Sequence, residues 1–230
     1  MDNRLRQLQQ ALGYEFRDPA LLHLALTHRS AQRSRNNERL EFLGDAQLGK
    51  IIANALFHRF PEATEGQRTR MRATLVRGQT LAQVAAALGV GDCLILGSGE
   101  LKSGGFRRES ILADALEALI GAIAIEAGEP VCEQRVLHWF ANRLASITPD
   151  IAKKDAKTRL QELLQARQNS LPTYVVTHIH GQAPNQSFTV TCSLPVDEAP
   201  RFEGKGTSRR KAEQSSADHA LAWLEQWYGK

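Results

Sequence analysis

The chain has 230 residues, 42% of them hydrophobic and 23% charged, with a formal net charge of +4. That composition excludes a fibrous or wholly disordered chain, and the length suits one or two domains. The charge is uneven: residues 1–150 carry 18 basic and 17 acidic side chains and residues 151–230 carry 11 and 8, which points to a polyanion partner for the C-terminal part.

The first 147 residues read as helix after helix. Asn3 to Leu12 is periodic and stops at Gly13. Asp18-Pro19 places a cap before a first-turn proline, and ALLHLALTH follows. Asn36 or Asn37 caps a long segment from Glu38 that Pro61 ends, and its apolar stretch AQLGKIIANALF predicts a central helix. Further helices are predicted from Thr64 to about Leu75, from Gln79 to Leu88, after a loop at Gly104-Gly105, and from Glu129-Pro130 to Ile147. No strand is expected before Thr148. A polar linker spans 148–154. Residues 155–228 then read as α-β-β-β-α: a helix to about Gln168, alternating runs at 173–180, 187–194 and 201–206, and a last helix from Thr207 to Tyr228. In the second run Phe188, Val190, Cys192 and Leu194 face one way and the hydroxyl residues between them the other, the pattern of an antiparallel sheet with one wet face. The expected architecture is an all-α domain followed by a small α+β domain.

Cys93, Cys132 and Cys192 are far apart and form no C-x-x-C pair, so neither a disulfide framework nor a zinc knuckle is expected. The N-terminus has no signal-peptide core. The longest apolar stretch, Ser110 to Ile125, is too short and too acidic to cross a bilayer. A soluble cytoplasmic protein with no membrane partner is expected. His23, His28 and His58 lack zinc-ligand spacing and, like Trp139, Trp223 and Trp227 at core-like positions, read as structural.

Glu38, Glu41 and Asp45 stand at i, i+3 and i+7 of the long helix, within about 60° of arc. Asp114 and Glu117 are an i, i+3 pair and the only charges from Ser110 to Ile125. Carboxylates in apolar surroundings cost several kcal/mol, on the order of the buried-ion penalty, unless compensated. Arg39, Arg68, Arg70 and Arg72 are candidate partners. A hard divalent cation is the other, and oxygen-only donors suit Mg²⁺ or Mn²⁺. Gly44, inside the helix, suggests close approach by another backbone.

Asn37-Glu38-Arg39-Leu40-Glu41-Phe42-Leu43-Gly44-Asp45 resembles the signature of bacterial ribonuclease III, and Glu109 to Ala118 is similar to that family's other catalytic helix; the likeness covers essentially the whole chain. It implies an all-α endonuclease domain over 1–147 and a double-stranded RNA-binding domain over 155–228. It implies Mg²⁺, replaceable by Mn²⁺, held by Glu41, Asp45, Asp114 and Glu117, with Asp45 and Glu117 most needed for the chemical step. Glu38 and Glu65 match acids that assist RNA positioning or subunit contacts. The family domain is a homodimer whose signature helices pack across the two-fold, which would give Gly44 its close approach. The implied activity is cleavage of double-stranded RNA to 5′-phosphate and 3′-hydroxyl ends, in processing of ribosomal, messenger and transfer RNA. A non-catalytic duplex-RNA-binding regulator is the alternative, favoured by loss of a cluster acid, yet all four are present.

In the C-terminal domain Thr158, Gln161 and Glu162 match the family's minor-groove helix. Lys205, Ser208, Arg209, Arg210 and Lys211 lie where a helix N-terminus would meet the phosphates between two minor grooves. One departure stands out: where the family carries a glycine-proline-x-histidine loop, Gln182 replaces the proline and Pro184 the histidine, leaving Asn185, Gln186 or main-chain groups for that contact. His178 and His180 read as surface residues.

Overall fold

The computed structural model describes residues 3–149, 156–182, 185–196 and 198–228. The chain divides into two compact units, Met1–Lys153 and Lys154–Lys230. Residues 150–154 of the expected linker lie outside the described residues.

The first unit contains α1 (Asn3–Leu12), α2 (Pro19–Leu26), α3 (Glu38–Arg59), α4 (Glu65–Val76), α5 (Gly78–Ala87), α6 (Ser98–Lys102), α7 (Glu109–Ala127) and α8 (Glu129–Ser146). The helix starts follow from local chemistry. The Asp18 carboxylate accepts from Ala20 N–H with Pro19 in the first turn, and Thr64 and Gln67 form a reciprocal capping box, which satisfies amides that have no partner within the helix. At α3 the two asparagines divide the work: Asn36 Oδ1 accepts from Glu38 N–H at 3.0 Å. Asn37 is buried, and its side-chain amide donates to Ala25 O. Two short 3-10 turns, Val90–Cys93 and Gly105–Arg107, and α6 fill a segment that reads as loop, because each is too short to show a helical period.

α7 is the enclosed helix. Every residue from Ala115 to Ile123 except Glu117 is buried, and α2, α3, α5 and α8 pack against it. Each buried leucine or isoleucine there contributes about 1.5–3 kcal/mol. α3, expected to be central, buries only one side, through Leu40, Leu48, Ile51, Ile52 and Leu56, while Phe42 and Phe57 are 80% and 59% exposed. α3 and α7 meet at paired glycines. A Cβ on Gly44 would lie 1.7 Å from Glu117 O, and one on Gly121 would lie 2.2 Å from Leu40 O. The close approach at Gly44 is therefore made within one chain, to α7, and not across a two-fold axis. Glu126, at the far end of α7, accepts from the Tyr14 hydroxyl and from the N–H groups of Arg17 and Asp18, tying that end to the α1–α2 connection. Trp139 is buried with its indole N–H on Leu12 O.

The second unit contains α9 (Ala156–Ala166), β1 (Thr173–His180), β2 (Ser187–Ser193), β3 (Phe202–Gly206) and α10 (Arg209–Tyr228), with an antiparallel sheet in the order β1-β2-β3. α10 lies on β2 and β3, and α9 packs on α10. Leu160 and Leu164 join Cys192, Phe202, Leu221 and Leu224 in one core. Gly204 and Gly206 let α10 sit on β3: a Cβ at either would fall within 2.5 Å of α10 backbone. The face expected to be wet is partly covered. Thr189 and Thr191 are 6% and 8% exposed, because β2 is the middle strand, with His178 and Lys205 flanking Thr189 and Val175 and Glu203 flanking Thr191. Trp223 packs at the core edge, whereas Trp227 stacks on it and is 42% exposed. No helix among the described residues is long and apolar enough to cross a membrane.

Candidate metal centre and nucleic-acid interface

The glycine contact sets α3 and α7 close enough for their acids to meet. Glu41, one turn before Gly44, faces Asp114 and Glu117, and one carboxylate oxygen from each of the three lies within 4.8 Å of the others. Asp45 is exposed and stands outside that mutual set. Its charge still acts on Glu117 more strongly than that of Glu41 or Asp114. Among the described residues no lysine or arginine pairs with Glu41, Asp45, Asp114 or Glu117. Arg68, a candidate partner in the sequence, instead donates to Phe60 O and Pro61 O.

The electrostatics follow from that geometry. Burial, then the charges of Asp45, Glu41 and Asp114, push the Glu117 carboxyl up to about 8. Burial and the acids Asp114 and Glu38 raise Glu41. Burial raises Asp114, opposed by His28 and Arg29. Three crowded carboxyls, none of them ion-paired to a lysine or arginine among the described residues, are a site that favours a divalent ion.

A pH dependence of stability follows. In the native, metal-free protein Glu117 keeps a proton up to about 8, whereas the unfolded chain releases it near 4.5. Its contribution is therefore fully present below 4.5 and is lost as pH rises towards 8. In EDTA, wild type is expected to lose about 1–2 kcal/mol relative to Glu117→Gln between pH 5 and pH 8, a value discounted for partial solvent access. Thermal melts of both proteins across that range check it; parallel curves would remove the coupling.

Glu38 pairs with Arg29 at 3.5 Å and lines an open cleft of about 580 Å³ with His28, Arg33, Arg108 and Asp114. His28, which reads as structural in the sequence, and Arg29 thus stand beside the acid cluster. Their turn is pinned: His28 N–H donates to Ile95 O at 3.0 Å, and Gly97 N–H to Ser30 Oγ at 2.9 Å. Glu65 lies elsewhere, on α4, accepting from Thr69 Oγ1 and lining a separate cleft with Phe57, Arg68 and Arg72.

In the second unit Thr158, Gln161 and Glu162 share one side of α9 by their i, i+3, i+4 spacing. Lys205, Arg209, Arg210 and Lys211 are exposed. Ser208 Oγ accepts from Lys211 N–H, a helix-capping role. Arg209 Nε donates to Glu213 Oε1 at 2.9 Å. In the loop after β1, Asn185 N–H closes a turn on Gln182 O, and Gly181 takes φ +79°; Ala183 and Pro184 lie outside the described residues. His178 and His180 are exposed and stacked with ring centroids 6.1 Å apart.

Residues 18–144 match the ribonuclease-III-like family model, and residues 156–224 match the double-stranded RNA binding motif. The chain is 64% identical to ribonuclease 3 of Alcanivorax borkumensis over 99% of its own length and 100% of that protein, and 56% identical to ribonuclease 3 of Vibrio vulnificus over 97% and 99%. Among solved structures, the nuclease domain of ribonuclease III from Campylobacter jejuni aligns with a TM-score of 0.61 and 43% identity, covering 64% of this chain and 100% of that domain. A second structure of that domain, whose dimer-forming region is described as flexible, gives 0.59 and 44% over 60% of this chain and 96% of its own.

Proposed function

The chain belongs to the ribonuclease III family, and from that premise we propose that it cuts double-stranded RNA with Mg²⁺, Mn²⁺ serving in its place, to leave 5′-phosphate and 3′-hydroxyl ends during processing of ribosomal, messenger and transfer RNA precursors. As a member it is an endoribonuclease. Residues 1–147 are its nuclease unit and 155–228 its duplex-RNA-binding unit, joined by 148–154. The observation that carries the metal assignment is the cluster of Glu41, Asp114 and Glu117, mutually within 4.8 Å, whose carboxyl pKa values stay raised although Arg29 opposes the shift at Glu41 and Asp114.

The donor set fits the ion. All donors are carboxylate oxygens, which Mg²⁺ and Mn²⁺ accept and which do not select zinc. When bound, Mg²⁺ supplies activation of water and neutralisation of charge on the phosphoryl group. The protein's part is to hold and to orient. Glu41, Asp114 and Glu117 would offer the inner carboxylates, and Asp45, exposed beside them, would complete the set. Glu117 would have to be ionised to hold the cation, so proton and cation would compete there and activity is expected to rise with pH at limiting Mg²⁺. Glu38 and Glu65 act outside the cluster, Glu38 through Arg29.

A homodimer is part of the same reading. Phe42 and Ile125 are 80% and 58% exposed, and Leu21, Leu24, Leu43 and Ile125 line an open cleft beside them. A second copy covering these apolar groups by an isologous contact accounts for their exposure. In the second unit Arg210 and Lys211 meet phosphate, while Thr158, Gln161 and Glu162 meet the minor groove.

The test is end analysis. Duplex RNA incubated with Mg²⁺ is expected to yield fragments that a 5′-phosphate-dependent exonuclease degrades, and none in EDTA. Binding without fragments in both conditions supports the regulator instead. On the binding side, Arg210→Ala and Lys211→Ala are each expected to flatten the salt dependence of duplex affinity by about one unit of log–log slope.

A further inference from the structure

The acid Glu213 lies among the basic residues at the start of α10, is 9% exposed, and grips two cations at once. Its Oε2 accepts from Lys157 Nζ at 2.7 Å and its Oε1 from Arg209 Nε at 2.9 Å. Lys157 belongs to the first turn of α9, beside Thr158, and Arg209 to the first turn of α10. Lys157 has two further ties: its ammonium lies 4.5 Å from the centroid of the Tyr174 ring on β1, and its backbone N–H donates to Gln214 Oε1 at 3.2 Å. Gln214 thus serves the N-terminus of α9 as a cap supplied from another helix. A second ion pair between the helices, Arg159 to Glu225, is more exposed and contributes little in water. The two cations hold the Glu213 carboxyl below the usual carboxylate range.

We propose that Glu213 is a positioning residue for duplex RNA, fixing the minor-groove helix α9 and the basic end of α10 at the separation the A-form duplex requires. The proposal rests on the reading of residues 155–228 as the duplex-RNA-binding unit. A rigid module must place its contacts at two minor grooves and the phosphates between them simultaneously. If α9 and α10 are free to shift, that order is lost from the free protein and has to be restored on binding. Beyond the shared core and the Gln214 and Glu225 contacts, Glu213 is the 9% exposed carboxylate that holds a cation from the first turn of each helix, and a negative charge within a phosphate-facing basic cluster otherwise only opposes binding.

Charge alone and positioning predict opposite signs. Removing an acid from a basic surface raises affinity for any polyanion. Loss of positioning lowers affinity for duplex RNA and spares polyanions without fixed geometry. The experiment uses the full chain in EDTA, so that duplex RNA is bound and not cut. Duplex affinity, elution from heparin and thermal melting are measured for wild type, Glu213→Ala, Lys157→Met and the double variant. Glu213→Ala is expected to weaken duplex binding about five- to tenfold at a temperature well below its melt, with heparin elution at the same or higher salt. Lys157→Met is expected to weaken duplex binding similarly, and the double variant no more than either single, because both cut one tie. If Glu213→Ala fails to fold, Glu213→Gln, which keeps an acceptor oxygen and loses the charge, carries the same comparison. Three results overturn the proposal: duplex affinity unchanged or raised, losses that add in the double variant, or duplex and heparin binding falling together with the melt. Absence of duplex binding by wild type instead overturns the assignment of the whole unit.

Discussion

Glu117→Gln is expected to lower the single-turnover rate of duplex cleavage by about 10³-fold or more, about 4 kcal/mol in barrier, while duplex affinity in EDTA stays within a factor of about three. Glu117 is the acid on which burial and three neighbouring carboxylates converge, so it gains most from a bound cation, and its ionised form has no substitute nearby. Glutamine keeps the volume and one oxygen but cannot carry the charge. The variant's melting temperature in EDTA at pH 8 is expected to exceed that of wild type, which separates lost chemistry from lost folding. Asp45→Asn provides the comparison. Asp45 stands outside the mutual set of three, and its substitution is expected to slow cleavage with a smaller gain in stability, because it relieves only its own repulsion of Glu117. Near-wild-type turnover in Glu117→Gln would remove the residue from the centre.

Gly44→Ala is expected to cost about 3 kcal/mol or more of stability and to abolish cleavage in whatever fraction folds. The new Cβ would lie 1.7 Å from Glu117 O and 2.5 Å from Glu117 C, both backbone atoms, so α3 and α7 must separate by roughly 1.5 Å to restore ordinary contact, beyond what a packed core absorbs without loss. The same movement draws Glu41 from Asp114 and Glu117. Gly49→Ala in the same helix is the control. Nothing lies within 4 Å of its would-be Cβ, so alanine's better helix propensity is expected to stabilise by up to about 1 kcal/mol. Denaturant melts of the two variants check the pair; a neutral Gly44→Ala would show that the helices are not held at that distance.

Much of the fold is legible locally. Asp18-Pro19, the Thr64–Gln67 box and the alternation of β2 each report their element through near neighbours in the sequence. The segment from Val90 to Arg107 is not, because its elements span three to five residues and a helical period needs more. Spacing places Glu38, Glu41 and Asp45 on one side of α3 and pairs Asp114 with Glu117 on α7. It says nothing of the crossing that joins them, for which Gly44 in mid-helix was the sole local trace. Its partner Gly121 leaves no such trace, since a glycine within an alanine-rich run looks like another small residue. His28 and Arg29 reach Asp114 across more than 80 positions, a relation no periodicity encodes. Glu213 was similarly hidden, because an acid four residues after Arg209 reads as an ordinary surface pair until Lys157 is seen on its other oxygen.

The enclosure of α7 also governs how the centre is exposed in time. With α2, α3, α5 and α8 around it, its amides between Ala115 and Ile123 have no route to solvent by fraying or by partial opening of a surface helix, so their hydrogen exchange proceeds through cooperative opening of the unit. The carboxylates on α7 inherit that lifetime. Asp114 and Glu117 keep their places through smaller fluctuations elsewhere in the unit, and Glu41 on α3 stays within reach of them while the contact at Gly44 holds.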